Sequence, residues 1–407
     1  MTLQFDPYSA AFTRDPYPVY ARLRRDCPVY YHEGWDAWLF SRYEDLKTLV
    51  MDARLGRTME HVMTPAEVSA QRAKLDWDAA PNHSRYVKVS ILDSEGALHD
   101  RLRKAVFRLF TPARTSVLRG FVQGLIDRQI EALAAVPEFD FIEDLVAPVP
   151  GFVIGEMLGV PERDRPQLRT WSEHIVQFFE PERTAAHRQL AEQSTTEFAA
   201  YLENLVAQRR EQPGSDLLSD MIAWQDGALR LDHDELLSTA MTILMAGHGS
   251  TIDAAGNGML ALLQHPEQAA ALRAEPGLIH TAVQEMFRYE PPLPHFHRYT
   301  LEDIEYQGRR FNKGTKLGFL YASANRDDAC FTAPDTFNIR RNPNRHLAFG
   351  GGVHHCLGNH LARLNMEIMF TTVLRRWPGL RLAVEAAALA WKPGIQSRGL
   401  VRLPVAV

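Results

Sequence analysis

From about Asp232 to Gln264 apolar side chains recur at helical spacing, opened by "LDHDE" and closed by His265-Pro266. About thirty residues at ~1.5 Å each span roughly 45 Å, enough to cross a whole domain. A chain built on one such element folds as a mostly helical body around it. Two further runs agree. Thr115–Val136 has the same periodicity and stops at Pro137, and Glu182–Arg210 ends before "EQPGSD".

Strand signals are confined to a few places. "DIEYQGRRFNKGTKLGFLYA" (Asp303–Ala322) alternates and carries turn signals at Gln307-Gly308 and Lys313-Gly314. "WDAWLFSR" and the terminal "SRGLVRLPVAV" are shorter candidates. No repeat, low-complexity tract or Gly/Ser linker divides the chain. Thr58–Arg85 is the one long irregular stretch, of the kind that covers a site. The expectation is a single domain over residues 1–407, mainly α with small β-sheets.

Composition narrows the partners. With 45 Lys+Arg against 50 Asp+Glu the net charge is −5, and no long basic run offsets it, which argues against nucleic acid and anionic membranes. No apolar run reaches the roughly 18 residues of a membrane span. The first residues, "MTLQFDPYSAAFTRDPYPVYARLRRD", have acids and prolines where a signal peptide needs an apolar core. Cys27, Cys330 and Cys356 are scattered and odd in number, which fits a reducing compartment. A soluble cytoplasmic protein is expected.

"FGGGVHHCLGNH" (Phe349–His360) concentrates glycine, histidine and one cysteine. Zinc would find donors in His354, His355, Cys356 and His360, but three of them are consecutive and diverge, and the glycines have no role in such a site. A redox thiol lacks a partner, since no C-x-x-C exists. A lone cysteine is most often simply buried. A haem thiolate explains more. A flat macrocycle must approach the sulfur, and Gly350, Gly351 and Gly352 leave backbone room and allow positive φ. Backbone N–H groups would tune the thiolate, and the helix opening just beyond Cys356 favours an anion.

On these residues the chain resembles the cytochrome P-450 (haem-thiolate) monooxygenases of soluble bacterial type. Phe349, Gly352, Cys356 and Gly358 fall on the family's Phe-x-x-Gly-x-x-x-Cys-x-Gly spacing, within a loop at 346–360. The resemblance implies haem b as cofactor with Cys356 as iron ligand; His355 is a mild departure. "AVQEMFRYEPP" holds Glu285 and Arg288, an E-x-x-R on one helix face. It implies a structural clamp with a third partner, for which Arg340 and Arg341 compete. His99 and Arg103 in "LHDRLRK", Arg298 in "HFHRYT" and His354 match the family's propionate donors.

The distal helix departs from the family. The pattern there is Ala-Gly-x-(Asp/Glu)-Thr, and in "TILMAGHGSTIDAAGNGML" Ala246 and Gly247 match it. Gly249 replaces the acid and Ser250, followed by Thr251, replaces the threonine. In the family these side chains relay protons to dioxygen, so Ser250 and Thr251 are the catalytic candidates. Gly247, Gly249, Gly256 and Gly258 each cost about 1 kcal/mol against alanine in a helix. Passage over a flat cofactor explains the first two, and helix packing Gly256 and Gly258. His248 is a tempting substitute acid, but a solvent- or core-facing histidine is the plainer reading.

By resemblance the substrate pocket is lined by Ile243, Ala246, Gly247, Leu293, Phe296, Phe178 and Ile395, with 58–85 as cover. Alternation puts His295 and His297 on one side of their strand and Phe296 on the other, taken as the cavity side. A hydrophobic small molecule is implied. Electrons would come from external partners, a ferredoxin and its reductase, with Arg101 or Arg345 as docking cations. The missing acid opens one alternative, a peroxide-driven haem-thiolate enzyme. A haem-based ligand or gas sensor ranks last, since no segment is left for an output module.

Overall fold

The computed structural model describes residues 5–87, 90–107, 110–225 and 231–407. Six helices concern the site: α1 (Pro65–Lys74), α2 (Gly96–Phe107), α3 (His233–Gly247), α4 (Gly249–Gln264), α5 (Ile279–Tyr289) and α6 (Asn359–Arg376). Five strands form the principal sheet: β1 (Val29–His32), β2 (Ala37–Phe40), β3 (Leu55–Gly56), β4 (His295–Thr300) and β5 (Lys316–Leu320). Their order is β1-β2-β5-β4-β3, with β2 and β5 parallel and the other pairs antiparallel.

The long apolar run is therefore two helices, broken at His248, where φ is −92° and ψ is −78°. Asp232 and Glu235 start α3 with a reciprocal capping box, at 2.8 and 2.9 Å. At the break the hydroxyls of Ser250 and Thr251 donate to the carbonyls of Ala246 (2.9 Å) and Gly247 (3.1 Å). Side-chain hydroxyls supplying carbonyls at the kink make the bend tolerable. Beyond it, α4 packs closely on its neighbours. A Cβ on Gly258 would lie 2.9 Å from Met286 Sδ and 3.1 Å from Phe370 Cζ, and one on Gly256 would lie 2.9 Å from Ile142. Those two glycines serve helix packing, as expected.

The cover segment is not irregular. Residues 58–85 hold α1, two short turns of 3₁₀-helix and most of a helix at Pro81–Tyr86. No residue of α1 is buried, so it carries no apolar stripe for a periodicity argument to find. Thr64 opens it with a capping box to Glu67. Thr115–Val136 likewise splits, into Pro112–Val117 and Arg119–Ala132. The hairpin expected in Asp303–Ala322 forms, with Gln307 (φ 50°) and Gly308 (φ 70°) as a two-residue turn joining Ile304–Tyr306 to Arg309–Phe311. Among the described residues no helix is long and apolar enough to cross a membrane.

Candidate active site

The loop carrying Cys356 is fastened from both sides. Its own N–H donates to Phe349 O at 2.9 Å, and Asn359 Nδ2 donates to Cys356 O at 2.7 Å. Gly350 (φ 65°) and Gly352 (φ 67°) adopt the left-handed region. The three glycines do not share one purpose. A Cβ on Gly352 would stand 2.2 Å from the carbonyl oxygen of Val50, and one on Gly351 2.6 Å from Val50 Cγ2. They key the loop to the chain at Val50, while a Cβ on Gly350 would meet only Tyr321 Oη, at an ordinary 3.6 Å. Burial pushes the Cys356 thiol up, while the Gly358 N–H and the cations of Arg363 and Arg103 pull it down. Among the described residues no three His, Cys, Asp or Glu side chains converge as a metal cage. A single thiol donor suits a metal that arrives in its own macrocycle.

Around that loop lie two arginines and two histidines, buried or half-buried, with few anions in direct contact. Arg298 is 4% exposed, and its one side-chain hydrogen bond among the described residues goes to His297 O at 3.2 Å. Burial lowers its pKa to about 10. A buried guanidinium without a carboxylate is costly unless an anion joins it. His99 is 1% exposed with Nε2 unpartnered. Arg103, one turn on in α2, donates to His355 O at 2.7 Å. The His354 ring lies 4.3 Å from that of His99, tilted by 45°, and spends Nε2 on Glu95 Oε1 at 2.7 Å, which leaves only Nδ1 for a ligand. These groups fit the two carboxylates of haem. Asp93 and Glu95 both lie in the acidic stretch "LDSEG" that leads into α2, whereas Arg57, 2.9 Å from Asp93, had no signal in the sequence.

Behind the loop, Glu285 and Arg288 are fully buried and bidentate, at 2.7 and 2.8 Å. Arg341 is the third partner, 3.1 Å from Glu285 Oε2, while Arg340 turns outward to Glu275. Arg288 also donates to the carbonyls of Asn325, Pro334 and Thr336. Phe349 packs 4.7 Å from Phe287 on the same helix, α5, with Arg363 over its ring at 4.6 Å.

On the distal side Ala246 is exposed although residues 235–245 of α3 are all buried, so its surface fronts a cavity. A Cβ on Gly249 would meet nothing within 4 Å, whereas Gly247 is filled by Ile154 at 3.0 Å. The open position is thus Gly249, and the room expected at Gly247 is taken. His248 points away from this space. It is 1% exposed, lies against Gly151, and has both ring nitrogens unpartnered. Burial holds it neutral, its pKa lowered to about 3. It is a core histidine.

The expected pocket residues separate. Leu293 and Phe296 are half-buried, and Phe296 lies under Arg57 at 4.1 Å. Ile243 is buried in the main core. Phe178 does not line the cavity: it is 1% exposed, 4.7 Å from Trp77 and 4.2 Å from His83. Ile395 is likewise sealed, with Phe12, Tyr20 and Leu39. Both corrections have one cause, since apolarity alone cannot tell a core wall from a cavity wall. Arg101 is committed to Glu235, so it is not a free docking cation. Arg345 is exposed.

The family model for cytochrome P450 matches residues 166–378. The monooxygenase PikC of Streptomyces venezuelae is 38% identical over 401 residues, covering 97% of this chain and 91% of its own. The polyketide biosynthesis protein PksS of Bacillus subtilis (strain 168) is 32% identical over 412 residues, covering 100% and 99%. The chain belongs to the cytochrome P450 family. Its fold agrees. The structure of P450BioI in complex with an acyl carrier protein ligated to hexadec-9Z-enoic acid superposes with a TM-score of 0.89 at 32% identity, covering 98% of this chain and 100% of that one. Cytochrome P450 enzymes are haem b monooxygenases, and this chain is an oxidoreductase of that class.

Proposed function

We propose that this cytochrome P450 hydroxylates a hydrophobic small molecule with dioxygen, taking electrons from a separate ferredoxin and ferredoxin reductase. Cys356 is the iron ligand, and His99, Arg103, Arg298 and His354 hold the propionates, with Phe349, Gly350 and Gly358 framing the thiolate. The observation that carries the reading is Arg298, a buried cation that makes no hydrogen bond or ion pair to a carboxylate among the described residues, Glu95 and Asp93 acting on it only at longer range. When bound, the haem supplies the redox centre at which dioxygen is activated. The chain's own work is to position the sulfur, exclude water and deliver protons.

Proton delivery is the unusual part. With Gly249 in the acid position, the hydroxyls nearest the open space are those of Ser250 and Thr251, both already oriented by carbonyls of the preceding turn. Each can pass a proton by exchanging that bond for one to a water or to a polar group of the substrate. Ser250→Ala should lower product formed per electron consumed on the order of 10-fold, and Gly249→Glu should raise it. Unchanged coupling in both variants rejects this relay. The site itself is tested by the absorption of the reduced carbon monoxide complex: Cys356→His should lose the thiolate signature together with reductant-driven turnover. Full activity in that variant would remove the proposal.

The room beside Gly249 also supports a peroxide-driven reaction, since a peroxide brings its own protons. Turnover with hydrogen peroxide, and none with a reconstituted electron chain, selects that reading. The relatives' names, one in polyketide biosynthesis and one bound to a carrier-linked acyl chain, favour an extended apolar substrate.

A further inference from the structure

Outside the haem contacts one group of cations has no function yet. Strand register pairs Tyr299 with Lys316 and His297 with Gly318. Alternation then places His297, Tyr299 and Lys316 on one face of the sheet, opposite Phe296 and Arg298. The His297 and Tyr299 rings lie 5.3 Å apart. Among the described residues the Lys316 ammonium, the Tyr299 hydroxyl and the His297 ring nitrogens make no hydrogen bond, and Lys316 makes no ion pair.

The surroundings add positive charge. Arg57 and Arg183 act on both Lys316 and Tyr299, and Lys74 acts on Lys316 as well. Arg183 donates to Leu75 O in the cover segment and lies 4.4 Å over the Phe178 ring, but its buried Nε has no partner and no carboxylate pairs with it. Arg57 is paired with Asp93, whereas Lys316 and Arg183 feel Asp36 and Asp76 only at a distance and make no direct ion pair among the described residues. Above them Lys74 of α1 bridges to Asp36 at 3.4 Å, both more than two-thirds exposed. Lys316 thus lies half-buried beneath a loose, solvent-facing ion pair, between the cover helix and the sheet.

Two unpaired cations and a phenol, partly desolvated together, are an expensive arrangement for a protein to keep without an anion. Arg183 bonds Leu75 O, so such an anion would sit beneath residues 58–85. We infer that Lys316, Arg183 and Tyr299 receive the carboxylate of an amphiphilic acid whose apolar body extends past Leu293 toward Ala246. This rests on the monooxygenase reading above and names its substrate class. Lys316 and Tyr299 are specificity residues here, remote from the reacting atoms.

The probes are tetradecanoate, its methyl ester and tetradecanol, measured on the haem-loaded protein by equilibrium dialysis and by the shift in haem absorption. The acid should be held roughly 10-fold to 100-fold more tightly than the ester, the range of a charge-assisted hydrogen bond. Lys316→Met should abolish the preference and Lys316→Arg should retain it, with ester retention unchanged in both. Equal retention of acid and ester by the wild type, or a full acid preference in Lys316→Met, overturns the inference. A resting spectrum without a thiolate-ligated haem counts instead against the site reading on which it rests, because dialysis reports retention without it.

Discussion

Arg288 keeps its charge at zero exposure by spending every donor: two bonds to Glu285 and three to backbone carbonyls. Removing one member of a buried pair strands the other, so Arg288→Ala should cost about 3–5 kcal/mol. Urea unfolding measures it, and a loss under 1 kcal/mol would mean the carboxylate finds water. Arg341→Ala should cost less, since Arg341 reaches the surface and Asn344 Nδ2 also donates to Glu285 at 3.0 Å. Spacing alone made Glu285 and Arg288 legible, because three residues apart on a helix is a contact. It could not choose between Arg340 and Arg341, which differ only in where the turn after Asn338 sends each side chain. Phe178 and Ile395 failed for a similar reason: which apolar residue faces a cavity is settled by packing from distant segments.

The helical elements divide into one that is buried and broken and one that is intact and barely attached. The distal pair, α3 and α4, shows its periodicity in the sequence because core burial enforces it, while the break at His248 depends on glycines either side and on two hydroxyl-carbonyl bonds. The cover helix α1 is the reverse. With no residue buried it is stabilised mainly by its own cap, and Thr64→Ala should cost it about 1 kcal/mol. Hydrogen exchange over residues 64–75 should then quicken several-fold with the melting temperature unchanged. A fall in melting temperature of several degrees would show that α1 is part of the global folding unit.

Across the whole molecule, burial of histidines sets the acid limit. His83, His248, His295 and His346 each have pKa values lowered to about 3, desolvation being the largest cause. A depressed folded pKa means the neutral form is what folds. The stability is complete above the ordinary value near 6.5 and drains away as pH falls from there toward 3. At about 1.4 kcal/mol per pH unit, each such histidine costs on the order of 2 kcal/mol between pH 6.5 and pH 5. Denaturant midpoints should therefore fall steeply over that interval, and His248→Leu should flatten the slope. An unchanged slope would mean that His248 gains water or a partner when it ionises. This limit was not readable beforehand, because a histidine's burial is a property of the assembled fold.

The cover helix and its neighbours are tied down by pairs at the surface: Arg72 to Asp78, Lys74 to Asp36, Arg188 to Asp76 and Arg85 to Asp234. Each is worth about 0–1 kcal/mol. Descent with modification therefore meets little resistance there, whereas the clamp behind the haem tolerates almost none. Drift in α1 and its neighbours is thus cheap for such a protein, while the buried clamp is inherited intact.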